Sequence, residues 1–335
     1  IRDSIGNMDD AIVNYKKAIA IKPDYDEALN NMGMSLEEKG DVVGAIDKYN
    51  KVLAINPKHV GAYYNLGNVF CSKDNLSLAI ENYNRAITIK PDYADAYFNL
   101  GNALNKQGKL EEALESYNRV LSIKPDFAKA YYNMGNILSG IIFKKPISGL
   151  QNHIISLLDK KSYAQPQDIA AAAISLLKFE PSLQKQLKFV SWNKVIQNPL
   201  DIISALDELP LLRKLMSVCP LPDLELEKLF KQLRASILEN ISALEGSTPE
   251  LLRFQSALAL QCFTNEYVYS QSKNEEKAVN LLEKKTKELL SNNEQPHPQV
   301  ILTLASYKAL HKLSLIHISE PTRPLYISYA VFCLK

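Results

Sequence analysis

Apolar residues return at helical spacing along the first 140 residues: Leu29, Met32 and Leu36, then Tyr63, Leu66 and Phe70, then Tyr97, Leu100 and Leu104. Each set marks the buried face of a first helix. A second helix is predicted from about Val42 to Ile55, with Ala45, Ile46, Tyr49 and Val52 on its inner face. Pro57 stops it, because the proline ring cannot continue the hydrogen-bond ladder. This helix–turn–helix pattern recurs every 34 residues, a period that signals helical hairpins in tandem. Pro23, Pro57, Pro91 and Pro125 keep that register, as do Gly33, Gly67, Gly101 and Gly135. So do Ala45, Ala79 and Ala113, and Tyr15, Tyr49, Tyr83 and Tyr117. The glycine and alanine lack bulk where two helix axes approach, and the tyrosine fills the wider gap beside them.

These columns resemble the tetratricopeptide repeat, whose small-residue, aromatic and terminal-proline pattern is matched in units such as YADAYFNLGNALNKQGKLEEALESYNRVLSIKPD. The resemblance runs from Ile1 to about Gly140: the end of a truncated unit, three full units and the first helix of a fifth. Asp74 stands at the inter-helix turn where the other units carry Gly6, Gly40 and Gly108. The resemblance implies an all-α, right-handed superhelical solenoid.

The opposite stripe of each first helix is polar and aromatic. Asn31, Asn65, Asn99 and Asn133 recur in register, flanked by Asn30, Tyr64, Phe98 and Tyr132 on one side and by Asn68, Asn102 and Asn136 on the other. Asparagine inside a helix costs up to roughly 0.7 kcal/mol against alanine, so its repetition wants a reason. A side-chain amide can bond both the C=O and the N–H of an extended peptide without reading its side chains. Stacked helices about 8 to 10 Å apart, set against about 3.3 Å per extended residue, give one rung per three peptide residues. The competing reading is that these amides bridge neighbouring repeats. Repeats carrying NLGN or NMGN are similar to those preceding protein-modifying transferases, which implies a substrate-gripping ladder at the four matching asparagines.

After Gly140 the register fails. Pro146 falls where a second helix belongs, and Ile147 and Gln151 occupy the alanine and tyrosine columns. Residues 141–312 are expected to form a separate helical-bundle domain of six to eight helices, broken at Pro166, Pro181, Pro199, Pro220, Pro222, Pro249, Pro296 and Pro298. Ser247 and Glu250 form a predicted capping-box pair. Its strings CPLPDLELEKLFKQLR, LALQCFTNEYVYS and ILTLASYKALHKL resemble a helical segment that lies between a tetratricopeptide array and a class I S-adenosylmethionine-dependent methyltransferase domain in some bacterial proteins. That resemblance implies an alternative function, substrate recruitment for a methyltransferase domain outside this chain. No glycine-rich strand-to-helix turn follows Gly149, where only Gly246 remains, so no adenosyl-cofactor site and no cofactor is expected here. LSLIHISEPTR (Leu313 to Arg323) and ISYAVFCLK (Ile327 to Lys335) resemble a translated sequencing-library adapter, so residues 313–335 are expected to lie outside the natural fold.

Charge separates few alternatives. Lys and Arg total 39 against 37 Asp and Glu, without the one-sided excess of a nucleic-acid binder, and no apolar run has membrane-spanning length. Cys71, Cys219 and Cys262 lack CxxC pairing and suit buried, reduced thiols in a cytoplasmic protein. His59, His153, His297 and His311 are scattered, so no metal site or catalytic pair is expected. Trp192 is expected in a core, and Asn265 and Glu266 as buried polar anchors. The expectation is a non-enzymatic interaction scaffold whose concave groove binds an extended peptide of a protein partner, through Asn31, Asn65, Asn68, Asn99, Asn102, Asn133, Asn136, Tyr64, Phe98 and Tyr132.

Overall fold

The computed structural model describes residues 2–160, 162–191, 196, 198–244, 249–264, 271–292 and 294–308. These residues form seventeen α-helices, one 3-10 helix and no strand. The chain divides into two compact units, Ile1–Ile137 and Leu138–Lys335. Ser247, Trp192, Asn265, Glu266 and the adapter-like residues 313–335 fall outside the described residues.

The first unit holds α1 (Arg2–Ile21), α2 (Asp26–Glu38), α3 (Val42–Ile55), α4 (Val60–Ser72), α5 (Leu76–Ile89), α6 (Ala94–Lys106), α7 (Leu110–Ile123) and most of α8 (Ala128–Leu138). The pairs α2/α3, α4/α5 and α6/α7 pack as hairpins, and each hairpin packs on the next. The expected column chemistry is visible atom by atom. A Cβ added to Gly33 would sit 2.6 Å from Tyr49 Cε1, one on Gly67 2.5 Å from Tyr83 Cε1, and one on Gly101 2.7 Å from Tyr117 Cε1. The tyrosine ring lies directly on the glycine, closer than any side chain would allow. Ala45, Ala79 and Ala113 are wholly buried, and Leu29, Ala45, Tyr49, Val52, Ala62, Leu66 and Val69 form one continuous core cluster. Gly6 departs from expectation: it lies within α1 instead of at a turn.

The second unit contains α9 (Leu150–Asp159), α10 (Pro166–Leu177), α11 (Pro181–Ser191), α12 (Pro199–Asp207), α13 (Pro210–Val218), α14 (Leu224–Glu239), the 3-10 turn Ile241–Leu244, α15 (Pro249–Thr264), α16 (Lys273–Ser291) and α17 (Pro298–Ala305). Nine α-helices exceed the six to eight expected. Pro210 accounts for one of the extra breaks: it opens α13 within an apolar run that reads as continuous with α12. Six of the nine begin on proline, whose missing N–H costs nothing at the first helical position.

Buried polar groups knit this unit together. Gln261 on α15, fully buried, donates from Nε2 to the carbonyls of Met216 and Cys219 at 2.7 Å each and accepts the Leu221 N–H at 3.2 Å. It thereby satisfies the backbone at the end of α13. Arg234, 1 % exposed, lies 4.1 Å from the Tyr307 ring centroid and 3.9 Å from Glu275 Oε1, while the Tyr307 hydroxyl donates to Glu275 at 2.8 Å. Desolvation pushes the Cys219 and Cys262 thiols up to about 11, as suits buried cysteines, whereas Cys71 is only half-buried. Among the described residues no group of three His, Cys, Asp or Glu converges as a metal site requires, and no helix is long and apolar enough to cross a membrane.

Candidate functional site

The asparagine columns lie on the first helix of each hairpin, and the helix N-termini that orient them are built from local sequence. His59 caps α4 through Nδ1, which accepts the Ala62 N–H at 3.0 Å. Tyr93 and Phe127, at the positions corresponding to His59, instead contribute rings. Tyr64 packs 5.0 Å from Tyr93 and 6.1 Å from Tyr83, while Phe98 packs 5.1 Å from Phe127 and 5.9 Å from Tyr117, centroid to centroid. Tyr64 and Phe98 are therefore half-buried pieces of the inter-repeat packing. Tyr132, in the same column, is 57 % exposed.

The amides form nodes between hairpins. Asn99 Nδ2 donates to Asn68 Oδ1 at 2.9 Å and to the Tyr64 hydroxyl at 3.1 Å, and the Tyr83 hydroxyl donates to the same Asn68 Oδ1 at 2.9 Å. One repeat on, Asn133 Nδ2 donates to Asn102 Oδ1 at 2.8 Å and to the Tyr117 hydroxyl at 3.3 Å, and Tyr117 donates to Asn102 Oδ1 at 2.8 Å. The first interface differs because Met34 stands where Asn68 does. There Asn65 Nδ2 donates to Asn30 Oδ1 at 3.2 Å, and the Tyr49 hydroxyl turns to Glu37 Oε2 at 3.0 Å. Burial raises the Tyr117 phenol to about 12 and pushes Tyr49 and Tyr83 higher still, so all three remain neutral donors.

Asn65, Asn99 and Asn133 bridge neighbouring repeats, as the competing reading holds. Both Nδ2 hydrogens of Asn99 and of Asn133 are used in doing so, so neither amide can also donate to a peptide. Asn31 and Asn136 are exposed. The bridging leaves a defined remainder: Oδ1 of Asn65 and of Asn99 accepts no bond from a described residue, nor does Nδ2 of Asn68 and of Asn102 donate one. Each pair sits three residues apart on one helix, the spacing of neighbours on a helical face. Exchanging the oxygen and nitrogen of the bridged amides reverses each bond but still leaves one donor and one acceptor per helix. The pairing depends on contacts 31 to 35 residues apart in sequence, for which no local signal exists.

The family model for the TPR repeat matches the chain four times, over residues 4–40, 35–73, 67–108 and 101–140. Among solved structures, MamA is 31 % identical, covering 48 % of this chain and 89 % of its own, with a TM-score of 0.40. A MamA fragment from Desulfovibrio magneticus RS-1 is 24 % identical, covering 46 % of this chain and 85 % of its own, TM-score 0.39. The first TPR domain of Spaghetti (RPAP3), solved with the HSP90 peptide SRMEEVD, is 27 % identical, covering 33 % of this chain and 89 % of its own, TM-score 0.33. No curated protein matches the chain. With four matched units, and glycine seated on tyrosine in three successive hairpins, the chain belongs over residues 4–140 to the tetratricopeptide-repeat family.

Proposed function

We propose that the repeat array is a protein-interaction scaffold whose first-helix face grips an extended peptide by its backbone. The observation that carries this reading is the acceptor–donor remainder on each central first helix: Asn65 Oδ1 with Asn68 Nδ2 on α4, and Asn99 Oδ1 with Asn102 Nδ2 on α6. A peptide residue offers the complement, one N–H and one C=O. Inter-repeat bonds hold each amide in place before the ligand arrives, which lowers the ordering cost of binding. Asn31, Asn133 and Asn136 extend the row at either end, Tyr132 supplies an exposed aromatic surface beside it, and Tyr64 and Phe98 form its half-buried wall. The groove is concave and reads the chain path more than its side chains.

Backbone recognition has a signature that side-chain recognition lacks. A peptide selected against the protein from a display library is synthesised with one N-methyl group at each successive position. Affinity is expected to fall about every third residue, matching the helix spacing, by about 0.5 to 1.5 kcal/mol per lost bond. Asn65→Ala/Asn99→Ala weakens the same peptide while circular dichroism reports an intact helical fold. A flat N-methyl profile sinks the reading.

A further inference from the structure

The second helices α1 and α3 flank a feature away from the asparagine columns. A groove of about 510 Å³ opens there. Ile19, Leu29 and Met32 form its floor, and Pro23, Ala54 and Ile55 its wall, with Ile55 41 % exposed. Three ammonium groups, Lys16, Lys48 and Lys51, stand around the apolar floor. Asp47 is the one carboxylate among the described residues paired with any of them, 2.8 Å from Lys48 Nζ and 3.2 Å from Lys51 Nζ, which leaves two positive charges uncompensated.

The repeat supplies its own comparison. One period on, the positions of Lys16, Lys48 and Lys51 hold Asn50, Asn82 and Arg85, and Thr88 replaces Ala54. Asn82 and Thr88 bond carbonyls of their own helix, at 2.8 Å each. The basic rim around an open apolar floor is thus a property of the first groove, not of the repeat in general.

We propose that this groove docks an acidic amphipathic segment of a partner protein, apolar side chains on the floor and carboxylates on Lys16, Lys48 and Lys51. The charge of the rim argues for that occupant over a basic or purely apolar one. The site is distinct from the asparagine face and does not depend on it.

The test uses the whole chain and a fluorescein-labelled helical peptide with Leu and Glu in i, i+4 register, read by anisotropy. The wild type is expected to bind it, more weakly as salt rises, and to ignore a peptide with Lys in place of Glu. Lys16→Glu/Lys51→Glu, two exposed positions, is expected to weaken binding by about tenfold or more, while Lys16→Arg/Lys51→Arg and Asn65→Ala/Asn99→Ala leave it within about twofold. No binding by the wild type, equal binding of the Lys peptide, or an unchanged affinity in the charge-reversed variant whose helical signal is intact overturns the proposal.

Discussion

At the turns between paired helices the backbone enters the left-handed region three times, at Gly40 (φ +86), Asp74 (φ +57) and Gly108 (φ +78). Glycine takes that conformation without penalty, and aspartate is among the few other residues whose short polar side chain tolerates it. The next residue in each unit occupies the N-cap position of the second helix. Asp41 accepts the Gly44 N–H at 2.9 Å and Asn75 the Leu78 N–H at 3.3 Å, but Lys109, one period further, makes no side-chain cap on α7. Lys109→Asp is therefore expected to stabilise the protein by about 1 kcal/mol, seen as a higher urea midpoint with an unchanged slope.

Between elements, the amide nodes behave as local clasps. Tyr83 and Asn99 both bond Asn68 Oδ1, whereas Asn99 and Asn133 share no partner. In an array where each repeat touches only its neighbours, coupling should follow those shared atoms. Double-mutant cycles on urea unfolding are expected to give an interaction energy of at least about 0.5 kcal/mol for Tyr83→Phe with Asn99→Ala, and additivity within about 0.5 kcal/mol for Asn99→Ala with Asn133→Ala. Comparable coupling in the two cycles would mean that the clasps act as one continuous wire.

Across the whole molecule, the two units carry glutamates with opposite pH behaviour. Burial holds the Glu37 carboxyl above its ordinary 4.5, only partly countered by the Tyr49 hydroxyl. Its favourable contribution is complete below the ordinary value and disappears as pH rises through the folded value. Burial also works against the Glu275 anion, but the Ser272 backbone N–H, the Tyr307 hydroxyl, the Ser272 hydroxyl and Arg234 outweigh it and hold that carboxyl low. Its contribution is present above 4.5 and disappears as pH falls through the folded value. Compared with wild type from about pH 3 to 7, Glu37→Gln is expected to gain stability as pH rises, and Glu275→Gln to lose it. Urea midpoints of both variants across that range check the two signs.

The periodic features were legible from the residues alone, because each depends on neighbours within one 34-residue unit. The run of α3 from Val42 to Ile55, the glycine on the tyrosine and the buried alanine column all rest on backbone propensity and hairpin packing. Pro210 was missed because the apolar period continues through it, and the Arg234–Glu275–Tyr307 cluster because its members lie on α14, on α16 and just beyond the end of α17, far apart in sequence. The asparagine column was visible as a repetition but not as a geometry. Composition and spacing determined that an amide would recur at each first helix. Only the stacking of one hairpin on the next decided that Asn99 spends both donors on Tyr64 and Asn68, since a hydrogen bond spanning 31 residues exists only once the chain has folded back on itself.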